Sequence, residues 1–253
     1  MGLFILIKRK FDKQASSISI ITATYNSASC LPLLIASLRN QTFKNFEWVV
    51  ADGGSRDGTL EILDSVDDLS LVADSRPDFG IYDALNRAIK MCSGDYYIVV
   101  GADDILYPDA IDFFYTAIKK SSPDFISALV HTDSGSIIAP EKKMKWFYSQ
   151  RAYIGAHAVG TLIKKSLHER FGFYSKEFPI AADQYFIRKV CDAGAIILYL
   201  DFISGVFSTS GVSSCDRAGM LCESFRVQIR CGENKLVQMI LLFIRLLKNI
   251  QKI

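Results

Sequence analysis

Apolar positions over the first hundred residues alternate between two rhythms. Ile18-Ser19-Ile20-Ile21-Thr22-Ala23-Thr24 is a short β-branched run of the kind that fills a buried strand, and Tyr25-Asn26-Ser27 closes it. Helical spacing follows over residues 29–40, and then a second strand-like run at Phe46–Ala51. Residues 59–66 have helical spacing again, 69–73 read as a third strand, 80–91 as a third helix and Tyr96–Val100 as the most strongly β-forming stretch of the chain. Strand and helix alternating in this way predict a mostly parallel sheet with helices on its faces.

In such a sheet, ligands bind beyond the carboxyl ends of the strands. The residues there are Thr24-Tyr25-Asn26, Asp52 and Asp103-Asp104, all polar and largely acidic. Past Pro108 the pattern is mixed: a helix over 109–120, a strand over 125–130, a turn at Asp133-Ser134-Gly135, helices over 165–171 and 183–193, and a strand over 196–200. The last stretch, 235–253, is apolar with Lys235, Arg245, Lys248 and Lys252 interspersed, which suits a helix lying in a membrane interface; packing in a core or a homodimer is the other reading.

Composition narrows the class. The chain has 253 residues, half of them hydrophobic, and a mean hydropathy of +0.20, which excludes disorder and suits one substantial domain. Its 29 basic and 27 acidic residues leave a net charge of +2, too balanced for a dedicated nucleic-acid binder. An anionic ligand must then be held by local geometry or a metal. The six cysteines include no CxxC pair and read as free thiols of a cytoplasmic protein. Residues 1–10 place an apolar run before the basic cluster, the reverse of a secretory signal, and read as a lead-in that could hold a surface.

Gly101-Ala102-Asp103-Asp104 is the sharpest local signal. Two adjacent carboxylates at a strand end repel one another, and a divalent cation relieves this while binding phosphate oxygens; a turn or helix cap is the plainer reading of the pair. Asp52-Gly53-Gly54-Ser55-Arg56-Asp57-Gly58-Thr59 offers a tight turn and a carboxylate able to accept from a ribose or a base. Neither GxGxxG nor a P-loop occurs.

Taken in order, Ile21-Thr22-Ala23-Thr24-Tyr25-Asn26, Val49-Val50-Ala51-Asp52-Gly53-Gly54-Ser55, Asp78-Phe79-Gly80-Ile81-Tyr82-Asp83-Ala84-Leu85-Asn86, Gly94-Asp95-Tyr96 and Gly101-Ala102-Asp103-Asp104 resemble the family 2 glycosyltransferases, in particular bacterial members that build surface polysaccharides such as colanic acid. The resemblance covers about residues 17–215, between a lead-in (1–16) and a helical C-terminal extension (216–253). It implies a GT-A fold, a nucleotide-diphosphate-sugar donor with a UDP-sugar first among candidates, Mn²⁺ or Mg²⁺, and inversion at the anomeric carbon. A lipid-linked glycan acceptor, confined to the bilayer at the inner face of the cytoplasmic membrane, would explain an interfacial C-terminal helix and is the acceptor expected here.

By the same resemblance, Thr24, Tyr25 and Asn26 pack around the nucleotide and Asp52 contacts the base or ribose. Asp103 binds the metal, Asp104 supports it or reaches the ribose, and Asp83 and Asn86 line the donor pocket. Ile180-Ala181-Ala182-Asp183-Gln184 is similar to the segment that carries the catalytic base, which makes Asp183 that base. His157 stands where it could face the acceptor or donor sugar, although a lone His in an apolar stretch also serves as a structural hydrogen-bonder. Ser208–Ser213 resembles a loop that closes near the donor phosphates. Gly101 replaces the first acid of the D-x-D pattern of many relatives; if that breaks the metal site, a donor-binding or scaffold role remains. A sugar-nucleotide nucleotidyltransferase is disfavoured, because Thr22–Asn26 contains no glycine for a triphosphate loop.

Overall fold

The computed structural model describes residues 5–8, 17–209 and 216–250. Its nucleus is four parallel strands in the spatial order β4 (Leu71–Ser75), β3 (Phe46–Asp52), β2 (Ile18–Thr24) and β5 (Tyr96–Val99). Three helices make the crossovers: α1 (Leu31–Arg39), α2 (Thr59–Asp64) and α3 (Ile81–Met91). Alternation along each strand sends residues to two cores. Ile18, Ile20, Trp48, Val50 and Ile98 meet α1, α2 and α4 (Ala110–Lys120) on one face, whereas Ile21, Val49, Ala51, Tyr97 and Val99 meet α3 and α7 (Ala182–Asp192) on the other.

The sheet then departs from a purely parallel one. Beyond β5 comes β9 (Thr161–Lys164), which runs antiparallel to both β5 and β7 (Phe125–Thr132). Beyond β7 lies β10 (Ile197–Phe207), parallel to it, and then the two-residue β6 (Ile105–Leu106) at the edge; β8 (Ile137–Ile138) pairs with β7 as a hairpin. Residues 161–164 carry no strand signal in sequence, because only four residues pair and they gain their strand character from β5 and β7. At the opposite edge β1 (Ile5–Lys8), within the apolar lead-in, pairs antiparallel with β4.

The smaller helices are α5 (Lys145–Tyr148), continued by a 3₁₀ turn at Ser149–Ala152, and α6 (Leu167–Phe171). The C-terminal extension consists of α8 (Arg217–Arg230) and α9 (Lys235–Asn249). Its first helix is joined to the sheet-bearing core by a buried polar knot. Arg188 of α7 is 0% exposed and donates to Gln228 at 2.7 Å, to Glu233 at 2.7 Å and to the carbonyl of Lys145 at 2.8 Å. Among the described residues no helix is long and apolar enough to cross a membrane. The five described cysteines are free.

Candidate active site

Parallel strands β2, β3 and β5 end on the same edge of the sheet, and the polar clusters gather there. At the end of β3 Asp52 is 0% exposed and fully committed. Its Oδ1 accepts from the hydroxyls of Thr24 (2.9 Å) and Ser55 (2.5 Å), and its Oδ2 accepts from the amides of Gly54 and Ser55 (both 2.9 Å) and the hydroxyl of Ser75 (2.6 Å). Burial opposes the charge, but these bonds outweigh it and hold the carboxyl below its ordinary range. The expectation that Asp52 itself touches a base or ribose therefore meets a carboxylate whose oxygens are already occupied. It ties the ends of β2, β3 and β4 into one rigid loop.

Around it, Asn26 adopts a left-handed backbone (φ 49°), donates its amide to Ser55 Oγ (2.7 Å) and accepts from the Arg56 amide (3.0 Å). Thr24 is buried, whereas Tyr25 projects its ring into solvent beside Gly53. Arg87, unmarked in the sequence, clamps the same edge from α3. It pairs with Asp74 at 2.6 Å and Asp78 at 3.2 Å and donates to the Asp52 carbonyl at 3.0 Å.

After β5, Asp103 and Asp104 take different positions. Asp104 is buried: its Oδ2 accepts from the Gly101 amide (2.7 Å) and its Oδ1 from the Ser208 amide (2.9 Å). Burial raises its carboxyl to about 7 despite these bonds. Asp103 lines the open cleft and lies near the start of α1, where its charge adds to burial in raising the Cys30 thiol. A Cβ at Gly101 would stand 2.9 Å from both Asp103 Oδ1 and Asp104 Oδ2, so the missing side chain makes room for the two carboxylates. Among the described residues no group of three or more His, Cys, Asp or Glu could cage a metal. A divalent cation held there would have one protein carboxylate, Asp103, and would take its other ligands from phosphate oxygens and water, a donor set that Mg²⁺ accepts. Asp104 instead ties Gly101 to Ser208, ahead of residues 210–215; the rest of the loop expected near the phosphates thus lies outside the described residues.

The cleft, about 370 Å³, is lined by Asp103, Asp104, Gln150, Arg151, His157 and Asp183 among apolar neighbours. Asp183 sits in the first turn of α7, where the helix dipole favours a carboxylate. It does not cap the helix. Its Oδ1 accepts from the Tyr82 hydroxyl at 2.6 Å, and the turn before it is held from outside, Glu223 of α8 accepting the amides of Ile180 and Ala181 at 2.9 Å each.

Facing Asp183 Oδ2 at 3.7 Å is Nδ1 of His157. His157 Nε2 is 2.7 Å from the Tyr174 hydroxyl, which is 2.9 Å from the Tyr97 hydroxyl, itself 2.7 Å from His168 Nε2. The far end of this buried chain sets its direction. His168 Nδ1 meets the Gly172 carbonyl at 3.1 Å, and a carbonyl only accepts, so Nδ1 carries the hydrogen and Nε2 accepts from Tyr97. Tyr97 then accepts from Tyr174, and Tyr174 accepts from His157 Nε2. Burial, against the charge of Asp183, lowers the His157 pKa. Neutral His157 thus presents a bare Nδ1 to Asp183.

Two expected donor-pocket residues stand apart from the cleft wall. Asn86 is buried with both ends of its amide on the Tyr174 backbone (2.9 and 3.0 Å), so it positions the tyrosine of the chain. Asp83 is half-buried in the first turn of α3, 3.9 Å from Lys176 Nζ. Tyr82, Tyr97, Tyr174, His168 and Glu223 escape sequence reading because each acquires its place only through a distant partner.

Residues 19–191 match the profile described as Glycosyl transferase family 2. The chain belongs to that family. It is 30% identical over 207 residues to a PGL/p-HBAD biosynthesis glycosyltransferase of Mycobacterium bovis, covering 78% of each chain. Among solved structures it resembles Staphylococcus aureus TarS 1-349 in complex with UDP, with a TM-score of 0.68, 20% identity, and coverage of 88% of this chain and 68% of that one. It also resembles the mannosyltransferase PcManGT of Pyrobaculum calidifontis in complex with GDP-Man and Mn²⁺, with a TM-score of 0.69, 19% identity, and coverage of 93% and 73%. These likenesses establish the GT-A fold, and the family makes the chain a glycosyltransferase.

Proposed function

We propose that this family 2 enzyme moves a sugar, with inversion, from a nucleotide-diphosphate-sugar to a hydroxyl of a lipid-linked glycan in the assembly of a bacterial surface polysaccharide. The observation that carries the reading is the meeting of Asp103 and the Asp183–His157 pair on one cleft at the carboxyl edge of the sheet. The UDP and GDP-Man complexes of proteins with the same fold support a nucleotide-sugar donor, and a UDP-sugar is our first candidate. The naming of the mycobacterial relative for PGL/p-HBAD biosynthesis supports a biosynthetic transfer.

In this reading the exposed ring of Tyr25 stacks on the nucleotide base, on a platform that Thr24, Asn26 and Asp52 hold rigid. Asn86, apart from the cleft itself, positions Tyr174 and through it His157, and Asp83 lies outside the cleft beside Lys176. Asp103 holds the divalent cation, Mn²⁺ or Mg²⁺, which when bound stabilises charge on the departing diphosphate as a Lewis acid. Asp183 takes the proton of the attacking hydroxyl, oriented by Tyr82 on one oxygen and faced by His157 on the other. Such an acceptor is met at the inner face of the cytoplasmic membrane.

Asp183→Asn and Asp103→Ala, assayed with a panel of nucleotide-sugars, test the reading. Loss of the base lowers turnover by roughly 10²–10⁴-fold while the melting temperature holds. Near-normal transfer by both folded variants overturns it. UDP binding without transfer and without Mn²⁺ dependence would point instead to a donor-binding or scaffold member.

A further inference from the structure

Helix α9 turns Gln238, Arg245 and Asn249 toward the protein and an apolar stripe away from it. Gln238, its one buried residue, donates to the Trp146 carbonyl at 2.6 Å; Arg245 donates to the Phe147 carbonyl at 2.5 Å, and Asn249 folds back on the Arg245 carbonyl at 2.8 Å. These three recur at intervals of seven and four, one face of a helix. On the other face Leu236, Met239, Ile240, Phe243, Leu247 and Ile250 are between 52% and 71% exposed. An amphipathic helix on a globular domain ordinarily buries its apolar stripe, and an exposed stripe of this length marks a contact surface.

Two further observations say what covers it. First, the segment that receives the helix is itself apolar outward: Met144, Trp146 and Phe147 are exposed, and the Arg245 guanidinium lies 5.3 Å from the centre of the Phe147 ring. Tryptophan with aliphatic neighbours is the composition of a headgroup-level contact. Second, the charge is of one sign. Lys235 and Lys248 are exposed at the two ends of the helix and residues 235–253 contain no Asp or Glu, while Lys142 and Lys143 are exposed on the receiving segment. Two-fold pairing of α9 with its copy would set cation against cation, whereas anionic lipid headgroups complement them.

From this geometry we infer that α9 and residues 142–147 form one surface that docks on an anionic lipid bilayer, with the helix lying in the headgroup plane. At about 1.5 Å per residue the 15-residue helix is ~22 Å long, short of the ~30 Å hydrocarbon core, so it lies rather than crosses. Phe147 is three residues from Gln150, at most ~11 Å along the chain, and Gln150 and Arg151 line the cleft. The cleft thereby opens beside the lipid surface, within reach of a hydroxyl carried on a lipid.

The surface is independent of the transfer chemistry, and its test needs no turnover. The full chain is sedimented with vesicles of phosphatidylcholine alone and of phosphatidylcholine with phosphatidylglycerol, in low and high salt, while sedimentation equilibrium without lipid reads self-association. Binding is expected to the anionic vesicles, weakened by salt. Ile240→Ser and Phe243→Ser, both solvent-facing, are each expected to weaken it roughly tenfold, and Lys235→Gln and Lys248→Gln roughly fivefold each on anionic vesicles, with melting temperature and UDP affinity unchanged. Failure of the wild type to bind either vesicle overturns the inference. So does a stable dimer that Ile240→Ser or Phe243→Ser dissolves while vesicle binding persists.

Discussion

His157 Nδ1 stands 3.7 Å from Asp183 Oδ2, and a buried chain ending at the Gly172 carbonyl leaves that nitrogen without a hydrogen. Two acceptors face each other across a gap too wide for a direct bond. In the transfer we propose, a proton taken up by Asp183 would find an acceptor opposite it, and steadying the protonated acid is the role we propose for His157.

The first prediction concerns this tautomer. Imidazole ¹⁵N spectra are expected to show His157 protonated at Nε2, and Tyr174→Phe to abolish that preference. Tyr174→Phe removes two buried hydrogen bonds, one to His157 and one to Tyr97; the share that falls on His157, about 1–1.5 kcal/mol, corresponds to roughly a tenfold fall in kcat with KM for the donor unchanged. A wild-type Nδ1–H tautomer would sink the assignment.

Asp52 separates a structural from a contacting carboxylate. With three hydroxyl and two amide donors already on it, Asp52→Asn should cost about 2–3 kcal/mol of stability, seen as a lower urea midpoint. KM for the donor, measured below the melting transition, should move little. A large rise in KM with unchanged stability would restore the direct contact.

Gly101 bears on the metal. Its Cβ would press on both Asp103 and Asp104 at 2.9 Å. Gly101→Ala is therefore expected to weaken Mn²⁺-dependent UDP binding about tenfold, ~1.4 kcal/mol, by calorimetry, while metal-free UDP binding stays level. Equal losses with and without Mn²⁺ would separate Gly101 from the cation.

His168 sets a pH dependence. Burial, with the nearby His157, holds its pKa at about 4 against an ordinary 6.5. Below pH 6.5 the unfolded chain takes up a proton that the folded one refuses, so this contribution is whole above 6.5 and is lost as pH falls toward 4. The loss is about 3 kcal/mol. Comparing wild type with His168→Gln isolates it, since Asp104, raised to about 7, works in the opposite direction in both. A wild-type advantage that stays constant from pH 7 to 4 would refute the shift.

Sequence alone located the alternation of strands and helices up to Val99, because apolar periodicity and β-branched runs are local properties. It also located the strand-end clusters at Thr24, Asp52 and Asp103, because parallel topology puts strand ends on one edge; for Asp183, in the first turn of a helix, it had only the family resemblance. It missed β9, whose four residues pair only because β5 and β7 flank them. It misjudged the use of Asn86, whose amide is spent on a backbone 88 residues away.

The largest differences concern direction, which pattern cannot encode. Asp52 is an acid after a strand in either setting; the hydroxyls of Thr24, Ser55 and Ser75, gathered from three strand ends, decide that it faces inward. Likewise the sequence determined that residues 235–249 form an amphipathic helix. Only tertiary structure decided which face it shows, because the bonds from Gln238 and Arg245 to the carbonyls of Trp146 and Phe147 hold the polar side against the protein and leave the apolar side outward.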